Sequence, residues 1–164
     1  MEEYLNQNKQ IREDLLNSFQ GISDEQLNQS IDGSDWTIMQ VLHHLYLMEI
    51  TVTKAIQATL TQGEKQEVDS KPIQFTVDRS RKVSAPPFVE PTTDFMTASK
   101  ITMMLEQSRN DFLKLLAGTS EDALKEKAYP HPVFGLMRLD QWVPFVGYHE
   151  KRHLEQINEL VAQI

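Results

Sequence analysis

The sequence predicts an all-α protein, a four-helix bundle with a long crossover between its second and third helices. Two observations carry this. Residues 1–20, 34–62, 92–117 and 148–164 contain neither glycine nor proline, and long stretches without breakers are what helices require. Within them, apolar residues recur at intervals of three and four, the spacing of one helical face. No run of alternating β-branched residues suggests a sheet. Only Ile73–Val77 reads as a short strand.

The elements follow in order. The first helix is expected over about residues 2–20, with Tyr4, Ile11, Leu15 and Phe19 on one stripe. Ser23-Asp24-Glu25-Gln26 has the side chains of a capped helix start. The second helix should cover about 36–62 and stop at Gly63. Its buried face is Val41, Leu45, Met48, Val52 and Ile56. Four of the seven prolines (Pro72, Pro86, Pro87, Pro91) then fall in residues 63–94. A loop of this length usually covers something or is functional, and it suits second and third helices that run parallel. The third helix, about 95–118, carries Ile101, Met104, Leu105, Ser108, Phe112 and Leu115 on one face and stops at Gly118. The last, about 140–163, begins at Asp140-Gln141. Pro144 and Gly147 near its start indicate either a bend or the close approach of another helix or a ligand.

Composition narrows the function. With 164 residues the chain has the length of a single domain, residues 1–164. It has no cysteine, which excludes disulfides, thiolate metal sites and a cysteine nucleophile. The net charge of −8 argues against nucleic acid. No apolar run approaches the roughly 20 residues that span a bilayer, and MEEYLNQNKQ does not resemble a signal peptide. A cytoplasmic protein with no membrane partner is expected.

The chemistry points to histidine. His149 and His153 are four residues apart in HEKRH, so on a helix both imidazoles stand on one face and could share a divalent metal. They sit in the apolar stripe Trp142, Val146, His149, His153, Ile157, Leu160, Ile164. Imidazoles in such slots need partners, either a metal or other hydrogen-bonding groups. On the second helix, His44 borders the buried face, whereas His43 points the other way and reads as a solvated surface residue. Glu49 also falls on the apolar face, either orienting a ligand imidazole or forming a salt bridge.

Together these residues carry a family resemblance. Trp36-Thr37 opens a helix that reaches His44-Leu45. Further on come His131-Pro132-Val133-Phe134-Gly135, then Gln141-Trp142, then His149-x-x-x-His153-x-x-Gln156-Ile157. In this order they resemble the DinB-like superfamily, which includes YfiT-type metal-dependent hydrolases and bacillithiol S-transferases. The resemblance spans nearly the whole chain. It implies an up-up-down-down bundle, a homodimer, and nickel or zinc held by His44, His149 and His153. Gln156 and Glu49 are candidates to support those ligands. His131 is expected to stiffen its loop and pack against a helix rather than act in catalysis.

Three functions are then in play. The first is a metal-dependent enzyme acting on a small molecule, with an open coordination position that activates water (a hydrolase) or a low-molecular-weight thiol (an S-transferase). Its 63–94 segment, with Arg79, Arg81 and Lys82, would cover the site or attract an anion. The second is an HExxH zinc peptidase with Glu150 as general base, although Glu150 is expected to be exposed and no downstream histidine supplies a third ligand. The third is a stress or interaction protein with a structural metal, which would need a fourth ligand.

Overall fold

The computed structural model describes residues 1–80 and 83–164. Arg81 and Lys82 lie outside the described residues, so their expected role at the site does not enter the account below. Four long helices form the bundle: α1 (Glu2–Ser18), α3 (Ile38–Gln62), α4 (Ala98–Ala117) and α6 (Leu139–Val161). Short helices α2 (Asp24–Asn28) and α5 (Glu121–Lys125) and a hairpin of β1 (Ala128–His131) and β2 (Gly135–Arg138) fill the connections. Among the described residues, no helix is long and apolar enough to cross a membrane.

Local chemistry sets the starts. Ser23 with Gln26, and Thr37 with Gln40, form reciprocal capping boxes at α2 and α3. Thr97 and Ser120 cap α4 and α5. The expected cap at Asp140 is not made. The helix starts one residue earlier, at Leu139, and the Asp140 carboxylate instead takes two hydrogen bonds from Arg138 at 2.9 and 2.8 Å. Gly63 and Gly118 do end their helices.

Three further readings change. Tyr4 stays 40% exposed, while Ile11, Leu15 and Phe19 of its stripe are buried. Ile73–Val77 is a 3-10 turn rather than a strand. Pro72 precedes it, the Phe75 amide bonds the Pro72 carbonyl, and the turn packs on α6 without a partner strand. The only sheet among the described residues is the hairpin, paired antiparallel from Ala128↔Arg138 to His131↔Gly135. Gly135 has φ +69°, a conformation that favours glycine at the close of this turn. His131 Nδ1 accepts the Val133 and Phe134 amides at 3.0 and 3.2 Å, bracing the same turn.

Helix direction follows from cross-contacts. Asn8 and Arg12 of α1 bond Val143 and Glu150 of α6, so these two run parallel. The first part of α3 packs with the first part of α4 (Ile38–Leu45 with Ile101 and Leu105), and their last parts pack together (Val52 and Ile56 with Phe112 and Leu116). The second and third long helices are therefore parallel, as the crossover requires. The order is up-down-down-up, not up-up-down-down, because the 19–37 connection returns the chain antiparallel to α1.

The core divides into two apolar clusters. One contains Leu15, Leu45, Leu105 and Ile157, and the other Val52, Phe112, Leu139 and Val146. Between them lies a closed ring of charge, one residue from each long helix. Arg12 donates to Glu150 and, at 3.0 Å, to Glu49. Arg109 donates to Glu49 at 2.5 Å and to Glu150 at 2.6 Å. The remaining guanidinium nitrogens reach backbone carbonyls, Arg12 to Leu105 at 2.5 Å and Arg109 to Asn8 at 2.9 Å. Ser108 adds a bond to Glu49 at 2.5 Å. Every charged partner is buried, which is tolerable because each charge is matched and hydrogen-bonded.

Gly147 marks a close approach rather than a bend. A Cβ there would lie 1.9 Å from the Asn8 side-chain oxygen. Asn8 is itself buried and donates to the Val143 carbonyl at 2.8 Å.

Candidate metal centre

The capped start of α3 and the middle of α6 bring three imidazoles together. One ligand atom from each of His44, His149 and His153 lies within 4.8 Å of the others. Ring centroids are 5.3 Å apart for His44–His149, 5.0 Å for His44–His153 and 4.6 Å for His149–His153. Among the described residues, no fourth His, Asp or Glu joins the group. Trp36 lies 5.0 Å from His44 and Phe145 5.7 Å from His149, so aromatic rings flank the centre.

The far nitrogens of two imidazoles are engaged. His44 Nδ1 is 2.8 Å from the Val89 carbonyl, and His153 Nδ1 is 2.8 Å from the Gln156 side-chain oxygen. A carbonyl oxygen only accepts, so Nδ1 carries the hydrogen and Nε2 presents a lone pair. Burial lowers the pKa of all three. His44 falls despite its bond to Val89, His149 lies well below the ordinary value, and His153 is pushed down to about 3, with neighbouring cationic groups adding to the last two. Near neutral pH all three are uncharged, the form that binds metal.

The described parts of the crossover are fastened to α6 and α3, and Val89 brings it to the histidine centre. Gln141 bonds both the amide and the carbonyl of Lys71, at 3.0 and 2.9 Å. Arg152 donates to the Thr76 and Asp78 carbonyls. Arg79 makes a two-point pair with Glu159. The chain then passes from α6 to α3, where Val89 meets His44 and the Thr92 amide donates to His43 Nδ1 at 3.1 Å. His43 is therefore half-buried and stacked on Tyr46, not a solvated surface residue.

Two acidic residues also differ from expectation. The Glu49 carboxylate accepts from Arg12, Arg109 and Ser108, so it forms the salt bridge and makes no direct hydrogen bond to a ligand imidazole. Burial alone would raise its pKa, but the two guanidinium groups and Ser108 outweigh burial and lower it. Glu150 is 2% exposed, not exposed beside the metal face. With each oxygen paired to a buried arginine, Glu150 is locked into the charge ring as an anion and is not placed as an exposed general base, which argues against the HExxH peptidase reading. His131 packs between Phe134, Trp142 and Phe145, and burial lowers its pKa to about 4.

A four-helix bundle whose second and fourth long helices bring three neutral histidines together defines a helical scaffold with a histidine cluster that could hold a metal ion. The chain belongs to the DinB superfamily, whose model matches residues 7–157. It is 35% identical over 153 residues to the uncharacterized protein YuaE of Bacillus subtilis (strain 168), covering 93% of this chain and 94% of that one. Its fold is similar to that of YfiT from Bacillus subtilis, with TM-score 0.69, 18% identity, and coverage of 97% of this chain and 84% of that one. YfiT is described as a probable metal-dependent hydrolase with an unusual four-helix bundle topology. The four-helix bundle protein TT2238 matches with TM-score 0.64 and 16% identity, over 96% of this chain and 98% of that one.

Proposed function

We propose that this protein is a metal-dependent enzyme, a hydrolase or thiol S-transferase, whose divalent metal is held by His44, His149 and His153. One observation carries the reading: three neutral imidazoles converge, and among the described residues no acidic or histidine side chain completes the set. Such a donor set leaves coordination positions open. A divalent metal held there, nickel or zinc, would lower the pKa of a bound water or thiol and so supply the nucleophile. The residues themselves do the rest. Val89 and Gln156 fix the ring orientation of His44 and His153. Trp36 and Phe145 give the centre an apolar wall. The charge ring beneath sums to zero, so the metal charge favours an anionic nucleophile. Since the chain lacks cysteine, any thiol must come from the substrate side. A cytoplasmic homodimer acting on a small molecule belongs to the same reading.

The test uses untagged protein. Hydrolysis of activated esters and conjugation of bacillithiol-like and glutathione-like thiols are each measured with and without nickel or zinc. Metal-dependent turnover that is lost in the His149→Ala, His153→Ala double variant is the expected result. Turnover that survives the double variant would overturn the reading.

A further inference from the structure

The three imidazoles are not supported alike. His44 has Val89 and His153 has Gln156, but His149 has no hydrogen-bond partner among the described residues. A cavity of about 10 Å³ lies beside it, lined by His149, Arg12, Glu49 and Glu150 together with four apolar side chains. This is the scale of a single water, and the site offers the polar partners a buried water needs. A ligand imidazole generally engages its second nitrogen with a carboxylate, a carbonyl or a water, and that partner fixes the ring and tunes its basicity.

We propose that the Arg12–Glu49–Arg109–Glu150 ring is a positioning element of the histidine centre, linked to His149 by a water in the cavity they share. This rests on the metal-centre reading above. The ring joins one residue from each long helix, and two of its members lie close in sequence to the ligands. Glu150 adjoins His149, and Glu49 lies five residues after His44. Its closed bonding pattern sets α3 against α6 at the level where their ligands meet. It also holds two carboxylates beside His149 with their charge cancelled, so the water sees oriented acceptors rather than a net field.

The experiment is a cobalt(II) titration of the full-length protein, read by visible absorption and by competition with a chelator. Glu49→Gln keeps the shape but leaves a positive charge unmatched. It should weaken cobalt binding about 10- to 100-fold and shift the absorption bands, with Glu49→Asp restoring part of both. Val52→Ile fills the cavity without touching the ring and should shift the same bands. Leu116→Ala, near the C-terminal end of α4 and outside the cavity lining, should lower thermal stability and leave affinity and spectrum unchanged. If Glu49→Gln and Val52→Ile both bind cobalt as the wild type does, the proposal is overturned while the metal-centre reading stands. Should Glu49→Gln not fold, Val52→Ile alone decides, and unchanged bands overturn the link. If the wild type takes up no cobalt, the metal-centre reading itself fails.

Discussion

Glu150 follows His149 directly in the chain, yet the two side chains belong to different polar clusters. Glu150 is hydrogen-bonded to Arg12 and Arg109, whereas the His149 ring lies with those of His44 and His153. Neighbours on a helix point about 100° apart, so α6 serves two adjoining sites through two consecutive residues.

Removing Glu150 should therefore be a stability lesion. Glu150→Ala leaves two buried guanidinium groups short of a partner, and breaking such a pair costs about 3–5 kcal/mol. Urea unfolding at neutral pH measures it. A loss under about 1 kcal/mol would mean that water reaches and solvates the ring.

The double variant His149→Ala, His153→Ala should purify without stoichiometric nickel or zinc. Elemental analysis of untagged protein checks this. Added metal should raise the melting temperature of the wild type and not of the variant, because only a folded state that binds is stabilised.

Gln156→Ala should weaken metal binding about 10- to 100-fold while leaving the fold intact, since it frees the far nitrogen of His153. Chelator competition gives the number. An unchanged affinity would show that the Gln156 contact does not orient the ring.

Acid should destabilise the metal-free protein earlier than its carboxylates alone would. The folded values of His153 and His131 lie at about 3 and about 4, below the ordinary 6.5 of the unfolded chain. Between those limits the unfolded state binds more protons. Stability is thus fully present above about pH 6.5 and drains as pH falls toward the folded values. Glu49, also lowered, adds a further loss as pH drops through its own folded value. Urea midpoints at pH 7.5, 6 and 5 should fall in that order. A flat series would contradict the assignment.

Gly147→Ala should cost about 1–3 kcal/mol, as overpacking in a tight core does. The added methyl meets the Asn8 side chain, which is anchored on Val143. A double-mutant cycle with Asn8→Ala should show coupling between the two positions.

The helices were legible because periodicity and breakers report on them directly, and the wheel separated His44 from His43 on the same grounds. Glu49 on an apolar face was a visible hint of the charge ring, but its partners were hidden. Arg12 and Arg109 look like ordinary solvated helix residues until one notes that they adjoin the stripe positions Ile11 and Ser108. Pairings across the bundle leave no local spacing to read. The hairpin is not legible because each strand has only four residues, too few for alternation to stand out. Helix direction is not legible in the periodicity, because it depends on connection length, and the short 19–37 connection favours an antiparallel opening pair.

The separations spanned by the charge ring bear on how the chain folds. Arg12 meets Glu150 across 138 positions, Leu105 across 93 and Glu49 across 37. Each helix can form from local contacts, but these closures require distant segments to find one another first, and loop entropy delays them. The histidine triad draws on the same remote segments. It is therefore assembled late, once the C-terminal helix has docked, and a nascent chain lacking α6 carries only one of its three imidazoles. On the proposed function, metal capture would then fall to the finished bundle rather than to the emerging polypeptide.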